Sequence, residues 1–336
     1  MTETIKSIQL ETHGSPDVLQ LVDIECPVPK PGEARVRLTA IGINMAETYQ
    51  RNGLYPLALP GGIGSEGAGV VEALGEDIVG DIGGGESNIR VGDRVAFVMA
   101  SGAYAEAITI DANLLVKIPD GISDEDAAAI LLKGMTIDYL FNDTFPVKSG
   151  DRILFHAAAG ALGIIACQWA KHLGVSLIGT AGTPEKCARA KMHGADDCFV
   201  LGTVDIEDKL RTTTNGRGFG VVYDSVGKAS YHLSLKLLAP FGTFVSFGNA
   251  SGPIDAVSPA DLTAHGSLYF TRPTLFTYLA QPGWMKNSAE KIFSMVLDGA
   301  IKAEINQRYA LADAAQAHSD LEARKTVGSS LILPAS

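Results

Sequence analysis

Residues 153–180 constrain this fold more than any other stretch. An apolar run, Ile153-Leu-Phe155, leads through His156 into a cluster of small residues, Ala157-Ala-Ala-Gly160-Ala-Leu-Gly163. Leu162, Ile165, Ala166, Trp169 and Leu173 then recur at helical spacing, and a second apolar run follows over Val175–Thr180. This order of strand, turn, helix and strand opens a dinucleotide-binding unit. Small residues there let a pyrophosphate approach backbone N–H groups at a helix N-terminus. The match to G-x-G-x-x-G is incomplete, because its glycine positions hold Ala158, Gly160 and Gly163. Ala158 suits the first turn only if its φ stays negative.

A small-residue turn in any α/β domain would look similar, so the neighbouring segments decide. Further strands are predicted at Cys198–Leu201, Gly220–Asp224, Thr243–Phe247 and Ser267–Phe270, mostly with helical segments between them. Alternating β and α segments predict a parallel, doubly wound sheet of six strands.

Residues 1–120 read differently. Short β-like runs at Ser7–Leu10, Leu19–Ile24, Glu33–Ile43, Gly67–Leu74, Asp93–Val98, Tyr104–Ile110 and Leu114–Lys117 alternate with Gly/Pro turns. They predict an all-β, barrel-like domain. Asp77–Arg90, with Gly80-Asp-Ile-Gly-Gly-Gly-Glu86, reads as a surface loop. Ser123-Asp-Glu-Asp126 caps a helix through Ala127–Leu132. Beyond Phe270 the alternation stops. Helices are expected at Ser288–Asp298 and Ala312–Ala323, with β runs near Ile305–Ala310 and Ser329–Leu333. This tail is expected to return to the first domain. The catalytic domain is then discontinuous, 1–133 with 272–336, around a cofactor domain at 134–271, and the active site is expected in the cleft.

The chain has 336 residues, enough for two sizeable cores, with 46% hydrophobic and 19% charged residues. A dispersed net charge of −11 argues against nucleic acid, whose phosphates need a basic surface. It leaves room for a small anionic cofactor held by local N–H groups. No apolar run approaches the roughly 18 residues of a membrane span. Met1–Ser7 lacks the apolar core of a signal peptide, and Cys26, Cys167, Cys187 and Cys198 show no paired spacing. Reduced thiols in a cytoplasmic protein are expected.

Several motifs together carry a family resemblance. They are Gly42-Ile-Asn44, Gly53-Leu-Tyr-Pro56, Gly92-Asp-Arg94-Val, Leu132-Lys133-Gly-Met-Thr136, His156-Ala-Ala-Ala-Gly160, Ala166-Cys-Gln-Trp-Ala170, Val222-Tyr-Asp-Ser-Val-Gly227, Val245-Ser-Phe-Gly-Asn249, Thr271-Arg-Pro273 and Gly328-Ser-Ser-Leu331. The chain resembles, over nearly its whole length, the zinc-independent, zeta-crystallin-like quinone oxidoreductases of the medium-chain dehydrogenase/reductase superfamily. The resemblance implies a GroES-like β-barrel catalytic domain plus a doubly wound Rossmann domain, NADPH as cofactor and a homodimer. Departures are Ala161 at a usual second glycine, Glu47 at a common Asp, the longer 77–90 loop, and Leu201 near a position where some members carry a tyrosine.

The zinc alcohol dehydrogenases of this superfamily need a Cys and a His where this chain has Asn44 and Ser65. Neither amide nor hydroxyl is a good zinc ligand. The four-Cys structural lobe is absent, so no metal is expected. Glu66 is read as a structural hydrogen-bonding group. None of the seven histidines has a ligand partner at useful spacing, and each reads as a surface or satisfied core residue.

By resemblance, Asn44, Tyr49 and Tyr55 are the catalytic candidates. Asn44 would hydrogen-bond the nicotinamide ribose or a substrate carbonyl, and the tyrosines would present flat faces and phenolic donors to a planar acceptor. The cofactor candidates are Asn44, Lys133, Thr136, Ala159, Gly160, Ala161, Leu162, Gly163, Thr180, Lys186, Phe247, Gly248, Asn249, Arg272 and Arg324. Each has an ordinary alternative: a turn for Asn44 and for Gly248-Asn249, loop packing for the tyrosines, and a surface charge for Lys133, Lys186, Arg272 and Arg324. Ser225 and Ser246 read as structural.

NAD-selective folds usually place a carboxylate about 20 residues past the glycines, whereas here Ile178-Gly-Thr180 ends the second strand. Lys186 matches the family's phosphate-binding lysine, and NADPH is expected over NADH. The leading reading is an NADPH-dependent quinone reductase. The alternatives are an NADPH-dependent reductase of activated C=C bonds in enals or enones, and a catalytically silent NADPH-binding protein.

Overall fold

The structure, a computed structural model, describes residues 3–76, 89–99 and 101–334. Most of the loop expected at Asp77–Arg90 therefore lies outside the described residues. In chain order the strands and helices begin with β1 (Thr4–Leu10), β2 (Gln20–Glu25), β3 (Glu33–Gly42), α1 (Met45–Arg51), β4 (Gly61–Gly62), β5 (Glu66–Leu74), β6 (Arg94–Val98), β7 (Ala107–Asp111), β8 (Leu115–Lys117) and α2 (Asp124–Asp138). There follow β9 (Arg152–Phe155), α3 (Ala161–Leu173), β10 (Ser176–Ala181), α4 (Pro184–Met192), β11 (Asp197–Val200), α5 (Ile206–Thr213), β12 (Phe219–Asp224), α6 (Tyr231–Leu237) and β13 (Leu238–Ser246). The remainder is α7 (Pro259–Ala264), β14 (Tyr269–Thr271), α8 (Leu275–Leu279), α9 (Trp284–Leu297), β15 (Ile305–Ala310), α10 (Ala314–Glu322) and β16 (Ser329–Leu333).

The chain forms two compact units. One comprises Met1–Leu132, Lys286–Leu297 and Ala303–Ser336, and the other Lys133–Met285 with Asp298–Lys302. In the first, β2-β1-β4 make a small sheet, and β15-β16-β3-β5-β6-β8, with β7 also on β3, make a larger one. No closed barrel forms among the described residues, unlike the barrel expected from the strand runs. The core follows from alternation. Ala34, Val36, Leu38 and Ala40 of β3 point inward, and Val36 and Leu38 join Ile8, Val95, Phe97 and Ile332 in one apolar cluster. Burying each such aliphatic side chain is worth about 1.5–3 kcal/mol.

The C-terminal tail completes this sheet. Leu331 and Ile332 of β16 pair antiparallel with Gly42 and Ile41 of β3, while β15 runs parallel to β16. α1 was not foreseen in the strand-dominated reading. It starts at Asn44, whose backbone N–H donates to Glu47 Oε2 at 2.8 Å, the reciprocal half of a capping box.

The second unit is the six-stranded parallel sheet, ordered β11-β10-β9-β12-β13-β14. Ile153, Leu154 and Phe155 of the central β9 are all buried, as expected of a strand covered on both faces. α3 buries Ile164, Ile165, Ala166, Trp169 and Ala170, and Gly174 ends it in the left-handed conformation at φ 70°. Because the strands are parallel, their carboxyl ends share one edge. The strand order reverses about β9, where ligands bind in such sheets.

Candidate active site

At that edge the backbone builds a tight cradle. Ala157 carries the positive φ of the turn, 57°, while Ala158 is not among the positive-φ residues, so Ala at the first glycine position is accommodated. The Ala158 N–H donates to Thr180 O at 2.9 Å and the Gly160 N–H to Ala157 O at 3.0 Å. Gly160 N-caps α3, and Ile164 N–H closes its first bond onto Gly160 O. The N–H groups of Ala161, Leu162 and Gly163 are then the first-turn donors of the helix, next to Ala159 in the turn. A β-carbon on Gly163 would lie 2.5 Å from Ala157 O and 2.6 Å from Ala158 Cα. This close packing of helix on turn is the role of the third glycine in a dinucleotide-binding fingerprint.

Other cofactor candidates reach the same edge. Phe247, Gly248 and Asn249 follow β13, and the Phe247 N–H donates to Asp224 O at 2.8 Å. Arg272 follows β14 and is exposed, its Nη1 lying 3.4 Å from both Ser246 Oγ and Gly248 O. Lys186 is half-buried in the first turn of α4, where its N–H donates to the N-cap Thr183 Oγ1 at 3.2 Å. Thr180 lies on the same edge, but its side chain is fully buried and its hydroxyl meets His156 Nδ1 at 2.7 Å. Lys133 and Thr136 sit inside α2 and are buried, so Lys133 is not the exposed helix-end lysine of the alternative reading.

The other unit holds the catalytic candidates. Tyr49 is buried on α1 and Tyr55 half-buried just beyond it. Their rings meet edge-on with centroids 5.1 Å apart, and the Tyr55 N–H donates to Tyr49 O at 3.0 Å. Asn44 Nδ2 donates to Glu66 Oε1 at 2.8 Å and contacts Glu47 Oε1 at 3.4 Å. The Ser65 hydroxyl donates to Glu47 Oε1, and the Leu132 N–H reaches Glu66 Oε2 at 3.3 Å. Asn44 and Ser65 thus serve two buried carboxyl groups. Burial pushes the Glu47 carboxyl up to about 7, with the Ser65 hydrogen bond opposing and the Glu66 charge adding to the rise. Gly42 makes room for this pair, since a β-carbon there would lie 2.1 Å from Glu66 Oε1. Among the described residues no cluster of three or more His, Cys, Asp or Glu is arranged to hold a metal ion.

Behind α1, Arg51 donates to His318 Nδ1 at 3.3 Å and to Glu322 Oε1 at 2.6 Å, and Tyr104 OH lies 3.1 Å from His318 Nε2. Burial, with Arg51 adding, lowers the His318 pKa to about 3, so the ring is neutral. This cluster fixes α1 against α10. Arg324 lies just past α10, exposed, with φ 58°. Sequence reasoning passed over Glu47 and His156 as site components. The Asn44…Glu47 spacing of a helix start and the position of His156 between strand and small-residue turn were the available signals.

Two family models match this chain: an alcohol dehydrogenase GroES-like domain over residues 30–120, and a zinc-binding dehydrogenase over residues 161–278. Fold and cradle thus define an oxidoreductase with a GroES-like domain and a Rossmann-type parallel sheet. A Pseudomonas aeruginosa quinone oxidoreductase is 47% identical over 98% of this chain and 99% of its own. A Burkholderia 2-haloacrylate reductase is 37% identical over 97% of this chain and 98% of its own. The crystal structure of Escherichia coli quinone oxidoreductase complexed with NADPH superposes with a TM-score of 0.94 at 42% identity, covering 98% of this chain and 100% of that one. The chain belongs to the quinone oxidoreductase family of the medium-chain dehydrogenase/reductase superfamily.

Proposed function

We propose that this chain is a zinc-independent NADPH:quinone reductase. The observation that carries the reading is the backbone cradle at Gly160–Gly163, in a chain 47% identical throughout to a quinone oxidoreductase. NADPH, when bound, supplies a hydride from its nicotinamide, and a proton from solvent completes the two-electron reduction of the acceptor. The protein's part is orientation and exclusion of water. Ala159–Gly163 hold the pyrophosphate on the α3 N-terminus. Phe247–Asn249 offer backbone groups to the carboxamide, with Arg272, Lys133, Thr136 and Arg324 as further cofactor contacts. Lys186 takes the 2′-phosphate. Asn44, Tyr49 and Tyr55 line the acceptor site. The cofactor domain is assigned to 134–271, flanked by 1–133 and 272–336, in a cytoplasmic homodimer.

Asn44 and Ser65 spend their donors on Glu66 and Glu47, which suits a metal-free site. Elemental analysis should find far less than one zinc per chain, and chelators should leave turnover intact. A second reading, reduction of activated C=C bonds, is favoured by the 37% identity to 2-haloacrylate reductase. Steady-state NADPH oxidation with benzoquinones, naphthoquinones, alkenals and 2-haloacrylate separates the two. Quinones should give the highest kcat/KM, and turnover confined to alkenes would overturn the quinone assignment. Lys186→Ala should cost NADPH, but not NADH, about ten- to a hundredfold in kcat/KM, the worth of a charge-assisted phosphate contact.

A further inference from the structure

His156 directly follows the central strand β9 and looks, in the sequence, like one more core histidine. Its ring is completely buried. Nδ1 meets Thr180 Oγ1 at 2.7 Å, on the strand to one side, and Nε2 meets Ser234 Oγ at 2.9 Å, on α6. Ser234 Oγ donates onward to Asp224 Oδ2 at 3.0 Å, at the end of the strand on the other side, and lies 2.9 Å from Ser230 O. Asp224 also accepts from Ser230 Oγ at 2.6 Å and from the N–H groups of Val226 and Gly227 at 2.7 and 2.9 Å. His156 therefore ties the ends of β10 and β12 together at the edge where the strand order reverses.

The protons in this network have one consistent direction. Asp224 only accepts, and so does the Ser230 carbonyl. The single Ser234 proton goes to one of them, so Ser234 Oγ accepts from His156 Nε2–H. Burial keeps the imidazole neutral, although Asp224 opposes this. Nδ1 is then the acceptor, and the Thr180 hydroxyl donates to it. The same dipeptide step sets the turn, since Ala157 follows His156 and Ala158 N–H is held by the Thr180 carbonyl at 2.9 Å.

We propose that His156 is a positioning residue of the dinucleotide site: it fixes the spacing of the β10 and β12 ends beneath the cradle and turns the Thr180 hydroxyl proton away from the cofactor. The inference rests on the NADPH reading above. It assigns Thr180 a role different from a phosphate contact. A 2′-phosphate accepts hydrogen bonds and donates none, and Thr180 has no proton left to give it. Discrimination between NADPH and NADH then falls to donors outside this network.

The test measures Kd for NADPH and for NADH by fluorescence titration, with kcat and Tm, in wild type, His156→Phe, Thr180→Val and Thr180→Ser. His156→Phe and Thr180→Val should each raise both Kd values at least fivefold. The NADPH:NADH ratio should stay within twofold, and kcat at saturating cofactor within threefold. Thr180→Ser, which keeps the hydroxyl, should return Kd to within twofold of wild type. A lowered Tm with unchanged Kd would show a role in folding alone and overturn the proposal. Loss confined to NADPH in Thr180→Val would show a direct phosphate contact and also overturn it. If His156→Phe does not fold, the Thr180 pair still decides. Long-range ¹H–¹⁵N spectra of the wild type should show His156 as the Nε2–H tautomer near pH 7, and the Nδ1–H tautomer would overturn the network. Wild type that binds neither dinucleotide overturns the functional reading as well, whereas binding unchanged by the substitutions overturns this inference alone.

Discussion

Each unit of this protein buries a polar cluster beside its candidate site, and the two are built on opposite principles. In the parallel-sheet unit, Thr180, His156, Ser234 and Asp224 pass hydrogen bonds in one direction to a single carboxylate that receives four donors. In the other unit, two buried carboxyl groups, Glu47 and Glu66, share the donors of Asn44, Ser65 and Leu132. A saturated network resists change and fixes geometry. A carboxyl buried beside a second carboxyl shifts its titration, and here burial first, with the Glu66 charge adding, raises the Glu47 pKa to about 7. The first is a frame; the second is a site whose charge depends on its surroundings.

The largest effect should come from crowding the frame. Gly163→Val pushes a β-carbon onto the Ala157 and Ala158 backbone, which cannot yield as a side chain can. We expect a loss of about 3 kcal/mol in stability and more than tenfold in NADPH affinity, read by urea unfolding and titration. Gly42→Ala meets the Glu66 side chain from Cγ to Oε1, not backbone, and should cost about half as much. Equal costs would erase the distinction between a rigid frame and an adjustable cluster.

The second test is pH dependence. The folded pKa of Glu47 is about 7 against 4.5 for the free group, so the folded state holds the extra proton between those values. This contribution is full below about 4.5, declines as pH rises through the window, and is gone above about 7, a change of about 3 kcal/mol. Glu47→Gln should remove that decline in unfolding free energies measured at pH 5, 6 and 8. An unchanged slope would show that Glu47 is ionised throughout.

Smaller losses should follow on the acceptor side. Tyr55→Ala and Asn44→Ala should each lower kcat/KM for quinone by about 1–3 kcal/mol of transition-state stabilisation while the fold persists. Unchanged kcat/KM in both would place them outside the site. The smallest effect belongs to neither cluster. Lys228→Ala removes an exposed ion pair with Asp255 and should change stability by less than about 0.5 kcal/mol.

The parallel sheet was largely legible from sequence because periodicity and small residues speak there in one voice. The predicted strands at 198–201, 220–224 and 243–247 overlap β11, β12 and β13, with ends displaced where apolar runs continue into turns. β15 and β16 were read at their observed bounds, β16 being set off by Gly328 and Pro334 on either side. α1 was hidden because its seven residues bury Glu47, Thr48, Tyr49 and Arg51, a mixed face without an apolar stripe. The strand runs of the first domain gave no closure rule, and they divide between two sheets. The polar clusters were the least legible part, since hydrogen bonds between Asn44 and Glu66, or His156 and Ser234, join residues no periodicity connects.

The pairing of β16 with β3 also orders events during synthesis. Ile41 and Gly42 leave the ribosome about 290 residues ahead of their partners Ile332 and Leu331. At ordinary elongation rates that interval is on the order of tens of seconds. All six strands of the parallel sheet emerge within it. The nascent chain can therefore finish its cofactor-binding sheet while the Ile41–Gly42 end of β3 still waits for β16, and that edge is a natural customer for holding chaperones until β16 arrives.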